Sequence, residues 1–172
     1  QCDARSCASI SFFFTDTATT EIYTLCLPDA LPLQLDYAFR RGGAKMPAYG
    51  SIVAAGRNGC ILHYQENDAL LKDGDLVLID AGCEIDCYAS DITRTFPVSG
   101  TFSPEQKAIY EIVLAANIEA FKHIAPGKHW NEAHEATVRV ITVGLVKLGL
   151  LKGKVDELIA SEAYKAFYMH RA

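Results

Sequence analysis

The chain has 172 residues, half of them hydrophobic and 22% charged, enough to bury one core of ordinary size. A net charge of −5 gives no general attraction to nucleic acid or to anionic membrane, and no apolar run approaches the length of a membrane span. Of the six cysteines, Cys2, Cys7 and Cys26 lie near the start; Cys60, Cys83 and Cys87 remain in the body, which suits a reducing cytoplasmic setting better than a disulfide framework.

Residues 1–33 carry neither helical nor strand periodicity, and Phe12-Phe13-Phe14 followed by Thr15-Asp16-Thr17-Ala18-Thr19-Thr20 makes no amphipathic pattern. Residues 15–33 resemble the conceptual translation of a common sequencing-adapter oligonucleotide, departing from it at Thr15, Cys26, Pro28 and Leu33. The segment is set apart as an artefactual, disordered leader, and residues 34–172 as the folded body. A signal peptide is disfavoured, because there is no initiating Met, basic n-region or small-residue cleavage site. Removing residues 1–33 is expected to leave thermal stability unchanged or to improve it.

The body then takes on regular patterns. Leu35–Phe39 reads as the last turns of a helix ended by Gly42-Gly43, and Ser51–Gly56 as a short strand. Arg57-Asn58-Gly59 signals a turn, after which Cys60–Tyr64 reads as a second strand. Lys72-Asp73-Gly74-Asp75 is another turn, leading into the apolar run Leu76–Ile79 and a return from Tyr88 to Phe96, an antiparallel sheet. Ser103-Pro104-Glu105-Gln106 opens a capped helix with Ile109, Ile112, Val113, Ala116 and Ala120 on one face. A second helix is expected from about Asn131 to Gly149, with Val138, Ile141, Leu145 and Val146 inward, and a third from Val155 to Ala163. Strands followed by helices, without alternation, give an α+β class.

Asp80 and Asp91 each close or interrupt a β-type run, so a hairpin would set both carboxylates against one space. A carboxylate ending a buried strand is costly unless charge or hydrogen bonds compensate it, and two on paired strands suit a dinuclear cation site. The spacing alone is also satisfied by an ordinary Asp-Ala-Gly turn and an Asp91–Arg94 pair. His134-Glu135 lacks the second His of a zinc-protease helix, since Val138 stands there, and reads as a solvated helix face. Cys83 and Cys87 lack a second Cys pair and read as buried or edge residues rather than zinc ligands. On spacing, His63 fits a structural role as well as a catalytic one.

These residues lie in motifs that resemble a known family. Gly59–Tyr64, Asp73–Glu84, Tyr88–Val98 and Gly144–Gly149 are similar, in order, to segments of bacterial Xaa-Pro aminopeptidase, also called aminopeptidase P. The resemblance spans residues 34–170 and implies the α+β pita-bread fold, in part, and release of an N-terminal residue preceding proline. It implies that Asp80 chelates one of two divalent ions and Asp91 bridges both, manganese being usual. His63 resembles the active-site His beside the scissile bond, and His170 a further active-site His that binds substrate and handles protons. The implied chemistry is attack of a hydroxide held between the ions on the Xaa-Pro carbonyl. Peptides with proline second would be the partners, and the parent enzyme a homo-oligomer.

The departures are specific. In the family Met-His is followed by Gly and, four residues beyond that His, by a metal-binding His; here Arg171-Ala172 follow His170. That His ligand and two later Glu ligands have no counterpart in residues 1–172, nor does the family's separate N-terminal domain, and Gly42-Gly43 stands where His-Gly is expected. The reading is a fragment of a dinuclear-metal aminopeptidase, inactive as written for want of three ligands. The alternative is a non-catalytic peptide-binding module of the same fold.

Overall fold

The computed structural model describes residues 30–169. The chain divides after Phe102 into two compact units. The first contains helix α1 (Ala30–Arg41), strands β1 (Met46–Pro47) and β2 (Ile52–Ala55), a 3-10 turn (Gly56–Cys60), and strands β3 (Leu76–Ala81), β4 (Cys83–Ile85), β5 (Tyr88–Ala89) and β6 (Ile92–Pro97). The second contains α2 (Pro104–Phe121), α3 (Trp130–Lys147), α4 (Val155–Ala160) and a 3-10 turn (Ala163–Ala166).

Helix α1 places an apolar residue every four positions, and Leu31, Leu35 and Phe39 pack on the core of the first unit. It starts inside the segment set apart on sequence, and its end falls where the glycines predict. Gly43 adopts φ +99 and the Ala44 N–H returns to the Phe39 carbonyl at 3.0 Å, a Schellman closure.

Strand β3 is the centre of an antiparallel sheet ordered β2-β3-β6. The period-two pleat turns Val77, Ile79 and Ala81 into the core beneath α1, leaving Leu76, Leu78 and Asp80 on the opposite face. The run is therefore buried on alternate residues rather than continuously. On that opposite face Leu78 packs on Ile52, Ala54 and Tyr64.

The connection from β3 to β6 is longer than a simple hairpin. Strands β4 and β5 fold back on each other around Asp86 and Cys87, both at positive φ (51° and 67°) as a two-residue type I′ loop demands, and they join β1 in a second sheet. Cys83 is buried in the core while Cys87 is exposed, and both are free thiols.

The expected strand Cys60–Tyr64 does not form. Gly56–Cys60 winds into the 3-10 turn and residues 61–63 turn again, with His63 at φ 54. The outer edge of β2 is occupied by a side chain, Asn67.

In the second unit Ser103 caps α2 with a reciprocal box, Ser103 Oγ accepting from the Gln106 N–H at 3.2 Å and the Ser103 N–H donating to Gln106 Oε1 at 2.9 Å. Ser103→Ala should lower the stability of this unit by about 1 kcal/mol, measurable by urea unfolding. Helix α3 starts one residue before the expected position because His129 serves as its cap, Nδ1 accepting from the Asn131 N–H at 3.2 Å.

Helices α2 and α3 pack through Ala116, Ile112, Ile141 and Leu145. Gly144 sits where a Cβ would lie 2.6 Å from an Ile112 methyl, so the contact depends on its missing side chain. The apolar face expected of α2 is thus narrower than its pattern. Ile109 and Val113 stand exposed, because α3 covers only the Ile112–Ala116 stripe. His134 is half-buried rather than solvated, its ring 6.0 Å from that of Tyr168.

Candidate metal centre

Asp80 is the last polar position on the outward face of β3, in register with Ile52 on one side and Thr93 on the other. Directly after it the chain must change partner sheets at Gly82. A Cβ on Gly82 would lie 1.7 Å from the Ser90 carbonyl oxygen and 3.2 Å from the Asp91 nitrogen, so the backbone of 90–91 rests on the space a side chain would fill. The Ser90 N–H donates to the Cys83 carbonyl at 2.9 Å, and Ser90 Oγ accepts from the Cys83 N–H at 3.0 Å. These bonds hold Ser90, and with it Asp91, beside the end of β3.

Gly82 also accepts the Ala48 N–H at 2.9 Å. That bond delivers the next residue, Tyr49, to the carboxylates. The Tyr49 hydroxyl lies 2.5 Å from Asp80 Oδ1 and 3.0 Å from Asp91 Oδ1, so the two side chains converge on one atom. The phenol pKa is pushed up by burial first, then by the hydrogen bond and charge of Asp80, and then by Asp91. Tyr49 stays a protonated donor. Arg94 does not neutralise Asp91; its guanidinium donates to the Thr93 carbonyl at 2.8 Å.

His63 lies exposed in the turn after the 3-10 segment. Its neighbour Tyr64 is buried against Ile52 and Ala54, on the sheet face that carries Asp80, and donates its hydroxyl to Asp68. His170 lies outside the described residues. The structure thus brings Asp80 and Asp91 together and seats the His63 loop on the same face. Sequence reasoning missed Tyr49, which sits in a stretch without period or motif and is recruited only by contacts 31 and 42 residues away.

Two carboxylates that meet at one hydroxyl offer hard oxygen donors, the chemistry of a divalent cation such as Mg²⁺ or Mn²⁺. The donor type fits such an ion. The number falls short of a full coordination shell, and among the described residues no group of three or more His, Cys, Asp or Glu side chains could hold an ion. Among the described residues, too, no helix is long and apolar enough to cross a membrane.

Residues 29–172 match the model of metallopeptidase family M24. The chain is 57% identical over 134 residues to the Xaa-Pro aminopeptidase of Haemophilus influenzae, covering 78% of this chain and 31% of that protein. It is 49% identical over 160 residues to the Xaa-Pro aminopeptidase of Escherichia coli, covering 91% and 36%. It thus spans about a third of the length of these curated relatives. Among solved structures it superimposes on the Pseudomonas aeruginosa aminopeptidase PepP with a TM-score of 0.83 at 72% identity, covering 92% of this chain and 37% of that one. The antiparallel sheet and helices are therefore part of the pita-bread fold, and the chain belongs to metallopeptidase family M24.

Proposed function

We propose that this chain is part of the catalytic domain of a dinuclear-metal aminopeptidase that releases the N-terminal residue from peptides with proline second. The observation that carries the reading is the convergence of Asp80 and Asp91 on the Tyr49 hydroxyl, in a chain whose relatives are named Xaa-Pro aminopeptidases. Asp80 would chelate one cation and Asp91 would bridge two. When bound, such cations, Mn²⁺ by family habit, supply Lewis-acid polarisation of the scissile carbonyl and a water of lowered pKa. The protein's own contribution is orientation. The single Tyr49 hydroxyl proton, shared between one oxygen of Asp80 and one of Asp91, would orient the pair, while His63 would lie against the substrate near the scissile bond and His170 would bind substrate and handle protons. The same reading puts the protein in the cytosol.

Titration of the chain with Mn²⁺, read as paramagnetic broadening of backbone amides, tests the metal assignment. The Gly82, Ile92 and Thr93 signals should broaden first, and Asp80→Asn or Asp91→Asn should abolish that selectivity. Broadening spread evenly over the acidic surface would overturn the assignment. Tyr49→Phe should weaken Mn²⁺ binding about 10–100-fold, the usual effect of losing a residue that orients metal ligands. Equal affinity in that variant would show that the phenol bond does not orient the pair.

A further inference from the structure

The segment from Ile61 to Asp75, which carries His63, forms no strand or helix. A loop of that length needs anchors if a side chain on it is to be held in one place. One anchor is Tyr64, buried with Ile52 and Ala54 and bonded to Asp68. The other is Asn67. Its side-chain Oδ1 accepts the Val53 N–H at 2.7 Å, and its Nδ2 donates to the Ser51 carbonyl at 2.9 Å.

Among the described residues β2 is an edge strand of the β2-β3-β6 sheet. Ser51 and Val53 therefore present a carbonyl and an N–H on the side away from β3, and the Asn67 amide takes both as a neighbouring strand would. Between them stands Ile52, the register partner of Asp80.

We propose that Asn67 is a positioning residue of the metal centre, pinning the His63 loop to β2 at the level of Asp80. The proposal rests on the aminopeptidase reading for what His63 does there. Asparagine meets two demands at once. Its backbone is left-handed (φ 52), a region Asn tolerates better than most residues, and its amide is the shortest side chain that offers a donor and an acceptor side by side. Asp lacks the donor, Ala lacks both groups, and Gly relieves the backbone but leaves the strand edge bare.

The test uses the 172-residue chain with Mn²⁺ as the probe and follows the His63 imidazole, the Thr93 amide and exchange of the Val53 amide by NMR. In the parent chain Mn²⁺ should broaden both His63 and Thr93. In Asn67→Ala the Thr93 broadening should persist while that of His63 is lost, and Val53 should exchange roughly two- to tenfold faster, as expected for one lost hydrogen bond. Asn67→Asp should keep Val53 protected yet lose part of the His63 broadening, because a carboxylate oxygen then faces the Ser51 carbonyl. This variant decides the matter should Asn67→Ala unfold. Unchanged His63 broadening in the variants overturns the role of Asn67 and leaves the aminopeptidase reading standing. A parent chain in which Thr93 broadens and His63 does not overturns that reading of His63, and the proposal with it.

Discussion

A polypeptide of residues 1–172 is expected to leave an Xaa-Pro peptide uncleaved even with excess Mn²⁺. A chimera continued with the segment of the Escherichia coli enzyme that follows the matched region should cleave it. Asp80 and Asp91 are the acidic pair that the described structure assembles, and a hard six-coordinate cation needs several fixed ligands. Losing only the residues that orient metal ligands typically costs about 10–100-fold in affinity or activity, and a shell with only two protein carboxylates should cost more. In the chimera, Asp91→Ala should therefore reduce turnover by more than about 100-fold, since it removes the carboxylate proposed to bridge both ions. Release of the N-terminal residue, followed by chromatography, distinguishes the outcomes. Turnover by the short polypeptide would show that two carboxylates suffice, and silence from the chimera would refute the proposed activity.

Gly82→Ala should be among the most damaging single changes outside the proposed ligands. Its Cβ would sit 1.7 Å from the Ser90 carbonyl oxygen and 2.5 Å from the Ser90 carbonyl carbon, and neither is the far end of a flexible side chain. Relief requires β3 and the 90–91 backbone to part, which breaks the Ser90–Cys83 bonds and withdraws Asp91 from Tyr49. Overpacking a well-fitted site typically costs about 1–3 kcal/mol, and a backbone clash belongs at the top of that range. Urea unfolding should show a loss of about 3 kcal/mol, and Mn²⁺ should no longer broaden Thr93 selectively. A variant with parental stability and parental Mn²⁺ response would show that the strand crossing is looser than this geometry requires.

Much of this protein is legible in its sequence because the physics is local. The Ser103–Gln106 cap, the Gly43 helix stop, the Lys72–Asp75 turn and the β3 run each depend on residues a few positions apart. Asp80 stands out for the same reason, as the polar residue near the end of the apolar run of β3, whereas Asp91 lies just before β6. The tertiary structure decided what depends on distant partners. Cys60–Tyr64 has the composition of a strand, yet Gly56–Cys60 winds into a 3-10 turn and the edge of β2 is taken by the Asn67 amide. The α2 pattern does not say which of its apolar residues meet α3, and Ile112 and Ala116 do so because Gly144 opens a place for them. Tyr49 carries no sequence signal at all. It meets the two carboxylates because the Ala48–Gly82 bond brings a residue from before β2 against side chains that follow it by 31 and 42 positions. Local pattern marks Asp80 and Asp91, while long-range backbone contacts fix where they meet Tyr49.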